Sequence, residues 1–318
     1  MKNLLFVFFA VTIVFTSCKD ENKSELEISK GRVNMLLPTS IPVNNLIVFE
    51  TSGELNWQKE FNSTDFIKKA FSKVLSSEVA TYFPFSDDST KCIKEDILTA
   101  MGAKAEPLNL SEIKSMYFDE EWSIDTTEPF LFEKKILSWY PVRYFKREGS
   151  DKEEMKLIFK VKGGDAQEIL AKNIKTEFQL QDTIQPTWTE NLNSPKLVSL
   201  ILSKVFSGKT KVWDPSNIEK ELTRQEIDMN FGVTTDTIYL DNPETGKQEV
   251  KIIKREINPE EISSIIFVED WYYDSNTLAI KKVITGIGPV RHYVKSDGEM
   301  AKKVVFMMYL GNEKTKIF

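Results

Sequence analysis

The chain has 318 residues, a length typical of about two domains of ordinary size. Its residues are 41% hydrophobic and 28% charged, which is typical of a folded protein. The net charge of -6 is spread along the chain without a basic stripe. This pattern excludes the electrostatic footprint of a nucleic-acid-binding protein.

The first eighteen residues follow the plan of a secretory signal peptide. A single basic residue precedes an apolar run from Leu4 to Phe15, which is too short to span a membrane, and small residues then lead to Cys18. The cysteine is placed as in a bacterial lipobox. We therefore predict a lipoprotein signal peptide at residues 1–18 with lipid on Cys18; the alternative is an ordinary signal peptide with an incidental cysteine.

Residues 19–49 are predicted to form a polar tether and an N-terminal segment. The stretch from Lys19 to Glu25 cannot bury apolar surface. It starts with Lys19-Asp20-Glu21, which resembles the signal that sends Bacteroidota lipoproteins to the outer face of the outer membrane. We expect an outer-membrane lipoprotein, on the periplasmic face or at the cell surface.

The second of the two cysteines, Cys92, has no partner for a disulfide once Cys18 carries lipid. We expect it to be a small core residue, and the alternative is a reactive thiol.

Two segments repeat one helical pattern at a constant spacing of 131 residues. Apolar residues at i, i+1, i+4, i+5, i+8 and i+9 predict a stripe along an amphipathic helix in each segment. The stripes are Phe66, Ile67, Ala70, Phe71, Val74 and Leu75, and then Leu197, Val198, Ile201, Leu202, Val205 and Phe206. Ser63 or Asp65 is expected to cap the first helix, and Ser194, before Pro195, the second.

A second repeated block follows each helix, now at a spacing of 149 residues, with Phe-x-Glu-x-Trp at residues 118–122 and 267–271. Later, Pro-Val-Arg recurs at residues 141–143 and 289–291. The additional residues of the second copy predict an inserted β-hairpin near 237–254. In that copy, turn formers divide the rest into strands at 264–273, 278–294 and 301–310.

The sequence therefore predicts a tandem duplication. The fold class is α+β, with two repeated units, each an amphipathic helix packed on an antiparallel β-meander. The first unit covers residues 50–161 and the second residues 179–318. Residues 162–178, which begin near Gly163-Gly164, are predicted to connect them.

A glutamate recurs between two aromatic residues on one face of each first meander strand. Counting back through the turns places Glu120 opposite Lys134 and Glu269 opposite Lys282. These four residues are predicted to form structural ion pairs. The alternative is a general acid or base whose pKa is raised by burial.

Other residues are candidates for contacts with a partner protein. Because proline cannot donate to a β-ladder, it belongs at an edge or a bulge, and the following arginine then projects near that edge. Such an arginine contacts a partner, is solvated or caps the core. The interaction candidates are Arg143, Arg291, Trp122, Trp271 and Tyr272.

Nothing in the sequence favours a common catalytic or metal site. His292 is the only histidine, and Tyr144 takes its place in the first copy, so a hydrolase triad is not favoured. No phosphate loop, paired-cysteine zinc site or His-Glu-x-x-His helix occurs. We expect no enzyme activity, no metal and no cofactor.

The acidic-aromatic stretch at residues 267–274, FVEDWYYD, and the stretch ITGIGP at residues 284–289 resemble GldN, the gliding-motility family whose relative PorN serves type IX secretion. The resemblance covers residues 188–310 and, more faintly, the first unit. It implies a structural subunit of a periplasmic ring in Bacteroidota, held to a lipoprotein. This chain differs in having two predicted units and its own predicted lipid.

The leading hypothesis is a non-catalytic, membrane-tethered assembly lipoprotein. Its expected partners are outer-membrane or periplasmic secretion and motility proteins, with a homo-oligomer also possible and no nucleic acid. The second hypothesis is a surface lipoprotein that binds a glycan or peptide through Tyr272, Tyr273 and Trp213. The third is a carboxylate-based hydrolase that uses Glu269 or Glu120.

Overall fold

The computed structural model describes residues 41–49, 61–87, 89–125, 131–180, 192–241, 248–295 and 297–310. The predicted signal peptide, with Cys18, and most of the predicted tether lie outside these residues. Residues Leu37–Phe318 form one compact unit. In the described part of the chain, no helix is both long and apolar enough to cross a membrane.

The first half of this unit contains a sheet of five strands with two helices beside it, of which only the second is short. In chain order its elements are β1 (Ile41–Val48), α1 (Ser63–Leu75), β2 (Thr81–Tyr82), β3 (Lys91–Cys92), α2 (Lys94–Ala100), β4 (Ile113–Asp125), β5 (Leu131–Lys146), β6 (Glu153–Leu157) and β7 (Val161–Lys162). The sheet has the strand order β1-β4-β5-β6, and β7 also pairs with β5. A single 3₁₀ turn, Leu110–Glu112, leads into β4.

The second half has its own sheet of five strands. Its elements are β8 (Glu168–Gln179), α3 (Ser194–Phe206), β9 (Trp213–Asp214), β10 (Asn217–Glu221), α4 (Arg224–Asn230), β11 (Thr235–Asp241), β12 (Gln248–Lys254), β13 (Ile262–Tyr273), β14 (Ile280–Val294), β15 (Met300–Val304) and β16 (Met308–Tyr309). The sheet has the order β8-β13-β14-β15, and β16 also pairs with β14. A 3₁₀ turn, Pro259–Glu261, leads into β13.

The predicted α+β class, with helices beside antiparallel sheets, is confirmed. Each sheet is larger than the predicted meander, because β1 pairs with β4 and β8 pairs with β13. The predicted connector at 162–178 therefore contains most of an edge strand. The third meander strand, predicted at 301–310, is divided into β15 and β16, which both pair with β14.

The hairpin predicted near residues 237–254 corresponds to β11 and β12. These strands pair antiparallel with each other from Thr235 opposite Lys254 to Asp241 opposite Gln248. They form a two-stranded ribbon that belongs to neither large sheet.

Both long helices begin one residue earlier than a cap at Ser63 or Ser194 would imply, and the other predicted cap, Asp65, lies within α1. The side chain of Asn62 accepts a hydrogen bond from the backbone N–H of Asp65, and Asn193 does the same for Lys196. Asparagine provides this acceptor as well as serine does, so the serines become the first helical residues. The apolar stripe of each helix is buried, as its periodicity predicts, except that Leu75 and Phe206 are half-buried.

The main core extends across both halves of the compact unit. One cluster of buried residues joins Phe71, Trp139 and Phe159 of the first half to Trp271 and Leu278 of the second. The indole of Trp139 also donates a hydrogen bond of 2.9 Å to the backbone oxygen of Leu278. The two sheets therefore share a core, and the predicted boundary between units does not separate two independent cores.

Candidate functional site

The most unusual site in the structure is a group of four fully buried charges, Glu120, Lys134, Glu269 and Lys282, here called the central charge cluster. The ammonium of Lys134 lies 2.6 Å from a carboxylate oxygen of Glu269, and the ammonium of Lys282 lies 2.6 Å from one of Glu120. All four side chains are 0% exposed. Each pair joins one sheet to the other.

This pairing corrects the predicted one, which matched Glu120 with Lys134 and Glu269 with Lys282 within each hairpin. The register places Trp122 opposite Lys134 and Trp271 opposite Lys282, two residues away from the predicted alignment. Within each hairpin, the glutamate is therefore not opposite the lysine that was predicted to bind it. Each glutamate binds the lysine of the other sheet instead.

A bulge in each hairpin helps to set this arrangement. The pairing shifts between Asp119 and Glu120 on β4, and between Val268 and Glu269 on β13. The unpaired residues opposite these steps are Leu137 and Thr285. A bulge inserts one residue and increases the local twist of the strand, which changes the direction of the side chains beyond it.

Each glutamate of the central charge cluster also accepts a hydrogen bond from the tryptophan two residues along its own strand. Trp122 donates to Glu120 over 2.7 Å, and Trp271 donates to Glu269 over 2.8 Å. The amide of Asn45 lies 3.4 Å from Glu120 as a further donor. Buried carboxylates are stable when such donors replace water.

The two lysines are bound by aromatic faces as well as by carboxylates. Lys134 lies 3.4 Å from the ring centroid of Phe267, and Lys282 lies 3.5 Å from that of Phe118. Each lysine also lies 4.9 Å from a tryptophan ring, either Trp122 or Trp271. Cation–π contacts of this kind gain strength when the cation is removed from water.

Two opposing effects act on the titration of the Lys134–Glu269 pair. Burial lowers the pKa of Lys134, although the nearby glutamates act against this shift. Burial alone would raise the pKa of Glu269, but Lys134 and Lys282 and the hydrogen bond from Trp271 outweigh it, so the pKa of Glu269 is lowered. Glu269 is therefore held as a carboxylate, whereas a general acid needs a raised pKa.

Acid is expected to weaken the fold through Glu269. Because its pKa in the folded protein lies below the unfolded value of about 4.3, its contribution to stability is present above that pH and is lost as the pH falls through the folded pKa. Urea unfolding of the wild type and of Glu269→Gln should therefore differ most at neutral pH. The difference should shrink below about pH 4; a constant difference from pH 7 to pH 3 would contradict this assignment.

The two predicted partner-contact arginines lie over the ends of short helices. Arg143 donates to Glu112 over 2.5 Å and to the backbone oxygen of Ala100, at the end of α2, over 3.2 Å. Arg291 donates to Glu261 and lies against Gly232, just after α4. The side chains are only 14% and 13% exposed. A cation suits the negative end of a helix, so each guanidinium stabilises the helix end beside which it lies.

The prolines before these arginines are not on edge strands as predicted. Both lie in β5 and β14, which have neighbours on each side. Pro141 is located where the pairing of β5 passes from β6 to β7, and Pro289 where that of β14 passes from β15 to β16. The adjoining strand is interrupted at these points, which reduces the cost of the missing N–H.

The remaining interaction candidates differ in their access to a partner. Trp122 and Trp271 are 0% exposed, and both indoles bind the central charge cluster, so their predicted role as surface contacts is corrected. Tyr272 and Tyr273 of β13 and Trp213 of β9 are half-buried, so these three residues keep an accessible surface.

Cys92 is buried next to α2, and burial raises the pKa of its thiol to about 11, with a smaller contribution from Asp96. A thiolate is the reactive form, so the folded protein should resist alkylation of Cys92 by iodoacetamide at pH 8. Mass spectrometry of the peptide that contains Cys92 should show labelling only after unfolding. The variant Ser89→Cys, at an exposed position, should label in the folded state and serves as the control.

The other acidic residues of the first meander strands do not gather into a metal site. Asp274 caps its own turn by accepting from the backbone N–H groups of Asn276 and Thr277 at 2.8 Å, and Asp270 accepts from that of Asn173. Across the described ranges, no three acidic, histidine or cysteine side chains are grouped to hold a metal ion.

A groove of about 820 Å³ lies on the surface between the first halves of β5 and β14. Its walls include Leu131, Leu137, Val283 and Leu310. Glu120 and Glu269 are not among the lining residues, so the groove does not give a substrate access to either carboxylate. No separate feature of the sequence indicated this groove, because the groove depends on how the two sheets meet.

A comparison with protein families supports the predicted resemblance of the second half. Residues 178–312 match the family of the gliding motility associated protein GldN. This part of the chain is GldN-like. The match runs from the end of β8 past β16 and contains Glu269 and Lys282, whereas Glu120 and Lys134 lie before it. No curated protein matches the chain.

Proposed function

We propose that the protein is a non-catalytic, membrane-tethered structural subunit of a gliding-motility or type IX secretion machinery in the cell envelope. The observation that carries this proposal is the GldN match over residues 178–312. The GldN family is a component of such machinery, and its members act by assembling with other proteins. The predicted lipid on Cys18 would hold the chain at the outer membrane.

The proposal includes a tandem duplication of the GldN-like unit. It is supported by the equal strand order of the two sheets and by Asn62 and Asn193, which cap corresponding helices. It is also supported by the reciprocal ion pairs, in which each half contributes one glutamate and one lysine. The first unit would be a diverged copy of the second.

The central charge cluster suits a scaffold better than an active site. Its four charges are sealed from water and satisfied by one another, so a substrate has no free carboxylate to meet. Buried charge pairs of this type can specify one arrangement of packed elements. We infer that the cluster fixes the two sheets in one relative register, which would present a constant surface to other subunits.

The test is crosslinking of the tagged, lipid-anchored protein in its own cells, followed by identification of the bound proteins. The proposal expects motility or secretion proteins of the envelope. A Cys18→Ala variant is the matched control for the tether, since it should leave the membrane fraction. Recovery of the wild type as a lone monomer would overturn the proposal, and digestion by protease added to intact cells would then favour a surface lipoprotein that binds a glycan or peptide.

A further inference from the structure

We propose that the protein associates with a second copy of itself through the outer edge of β12, the second strand of the ribbon that β11 and β12 form. This inference goes beyond the proposed function and does not depend on which other envelope proteins the chain meets. It follows from the open edge of the ribbon, from exposed apolar side chains on β12 and from the charges along that strand.

The first observation is that the ribbon stands apart from both large sheets. Among the described residues, the strands Thr235–Asp241 and Gln248–Lys254 pair only with each other. A two-stranded hairpin is at best marginally stable alone in water, and further strands are needed for independent stability. The ribbon therefore gains stability when another strand pairs with its edge.

The second observation is the direction of the backbone groups of β12. The N–H of Arg255 donates to the backbone oxygen of Thr234 over 2.9 Å, so these two opposite residues form a hydrogen-bonded pair. Such pairs alternate along an antiparallel ladder, and the N–H and C=O groups of the intervening residues point to the outer edge. On β12 the residues with outward backbone groups are Gln248, Val250, Ile252 and Lys254.

The third observation is that β12 exposes two neighbouring apolar side chains. Val250 and Ile252 are 59% and 60% exposed. Residues of a strand alternate between its two faces, so these two are consecutive on one face, with no charged residue between them on that face. An exposed apolar strand at an open edge is prone to pair with another chain.

The charges of β12 select one register for a pair of copies. In an antiparallel pair with a twofold axis at Val250, Glu249 of each copy would lie opposite Lys251 of the other. These positions would be non-hydrogen-bonded pairs, which approach most closely and favour opposite charges. An axis at residue 249 would place two glutamates opposite each other, and an axis at residue 251 two lysines, which is destabilising. The strand is therefore complementary to itself in the register centred on Val250.

Pairing of two β12 strands is also favoured over pairing through β11. That strand carries Asp236 and Asp241 and no basic residue, so two β11 edges would bring only like charges together. A contact between β11 of one copy and β12 of another would leave an open edge at each end. The twofold contact uses the same surface on both copies and closes at a dimer.

The test is disulfide crosslinking of the full-length, lipid-anchored protein in envelopes of its own cells. In the proposed dimer the Cα atoms of the two Val250 residues lie about 5.5 Å apart, within the range of a disulfide, so Val250→Cys should give a crosslinked dimer on mild oxidation. Ile252→Cys is the matched control and should not give it. The two Ile252 residues would lie about 14 Å apart, because each is four residues along the strand from the point opposite the other.

Charge reversal in the Val250→Cys protein tests the register. Glu249→Lys would place like charges opposite each other and should abolish the crosslink. Adding Lys251→Glu to that variant makes the opposing charges unlike again and should restore the crosslink. Glu219→Lys, at an exposed position of β10 outside the ribbon, is the control and should leave it unchanged.

Several results would overturn the inference. One is the absence of a crosslink in Val250→Cys, and another is equal crosslinking of Val250→Cys and Ile252→Cys. A third is failure of Lys251→Glu to restore the crosslink lost in Glu249→Lys. A crosslinked species that differs from twice the mass of the chain would show that another protein, or an open series of copies, occupies the edge. The proposed function is tested separately, by the identity of the bound motility proteins, so either proposal can fail while the other stands.

Discussion

The variant Glu269→Gln is expected to unfold more easily than the wild type by about 3–5 kcal/mol, the range found when one partner of a buried ion pair is removed. The substitution keeps the shape of the side chain and a hydrogen bond to Trp271 remains possible. It leaves the ammonium of Lys134 buried without its nearest carboxylate. Urea unfolding at pH 7, followed by tryptophan fluorescence, measures the change in the free energy of unfolding.

Two further variants test whether Glu269→Gln loses stability because it leaves a buried charge unpaired or because it removes a contact. Glu121→Gln removes a surface pair, since Glu121 and Lys135 are 35% and 72% exposed, and should cost less than about 1 kcal/mol. The double variant Glu269→Met with Lys134→Met removes both charges and should recover much of the stability lost in the single variant. Equal effects of Glu269→Gln and Glu121→Gln would show that the central charge cluster does not contribute as the geometry implies.

The sequence predicted the faces of the elements well because periodicity depends on local geometry. The stripe of α1 and the buried face that contains Phe118, Glu120 and Trp122 follow directly from the periods of a helix and a strand. The register could not be obtained in the same way. It depends on the length of the turn and on a bulge, and a displacement of two residues changes the partner but leaves the same face buried.

The crossed ion pairs were missed for a related reason. A hairpin supplies the simplest partner for a charge, and nothing in one hairpin shows that a second one packs against it. The signal that could have revealed the pairing is the repeat itself, because both halves carry a glutamate between aromatic residues and a lysine on the next strand. Two equivalent surfaces with one charge of each sign are complementary to each other.

The edge strand β8 was missed although part of its pattern was visible. Ile174, Thr176 and Phe178 alternate with Lys175 and Glu177, which is the period of a half-buried strand. The presence of two glycines before it favoured a connector. In the structure, β8 pairs with β13 from Glu168 to Gln179, so the glycines precede the strand by only a few residues.

The variant Gly163→Ala is expected to destabilise the protein by about 3 kcal/mol, near the upper end of the range for groups inserted into a packed region. A Cβ atom on Gly163 would lie 1.9 Å from the backbone oxygen of Ile136, closer than any real contact, so the backbone must move. That movement would weaken the hydrogen bond from the backbone N–H of Gly163 to the backbone oxygen of Leu137, which fixes the segment directly after β7 beside β5. The glycine is required for close approach of two backbones.

The adjacent glycine provides the matched control, because the connector prediction treats both glycines alike and the structure does not. On Gly164 the nearest atom to an added Cβ is that of Ala279 at 3.3 Å, and the residue is exposed. Gly164→Ala should change the free energy of unfolding by less than about 1 kcal/mol, since it also restricts the unfolded chain. Urea unfolding of both variants measures the contrast. Similar small effects would indicate that the two residues serve as a flexible connector, whereas a large effect of Gly163→Ala alone locates a fixed contact where β5 meets the chain leading to β8.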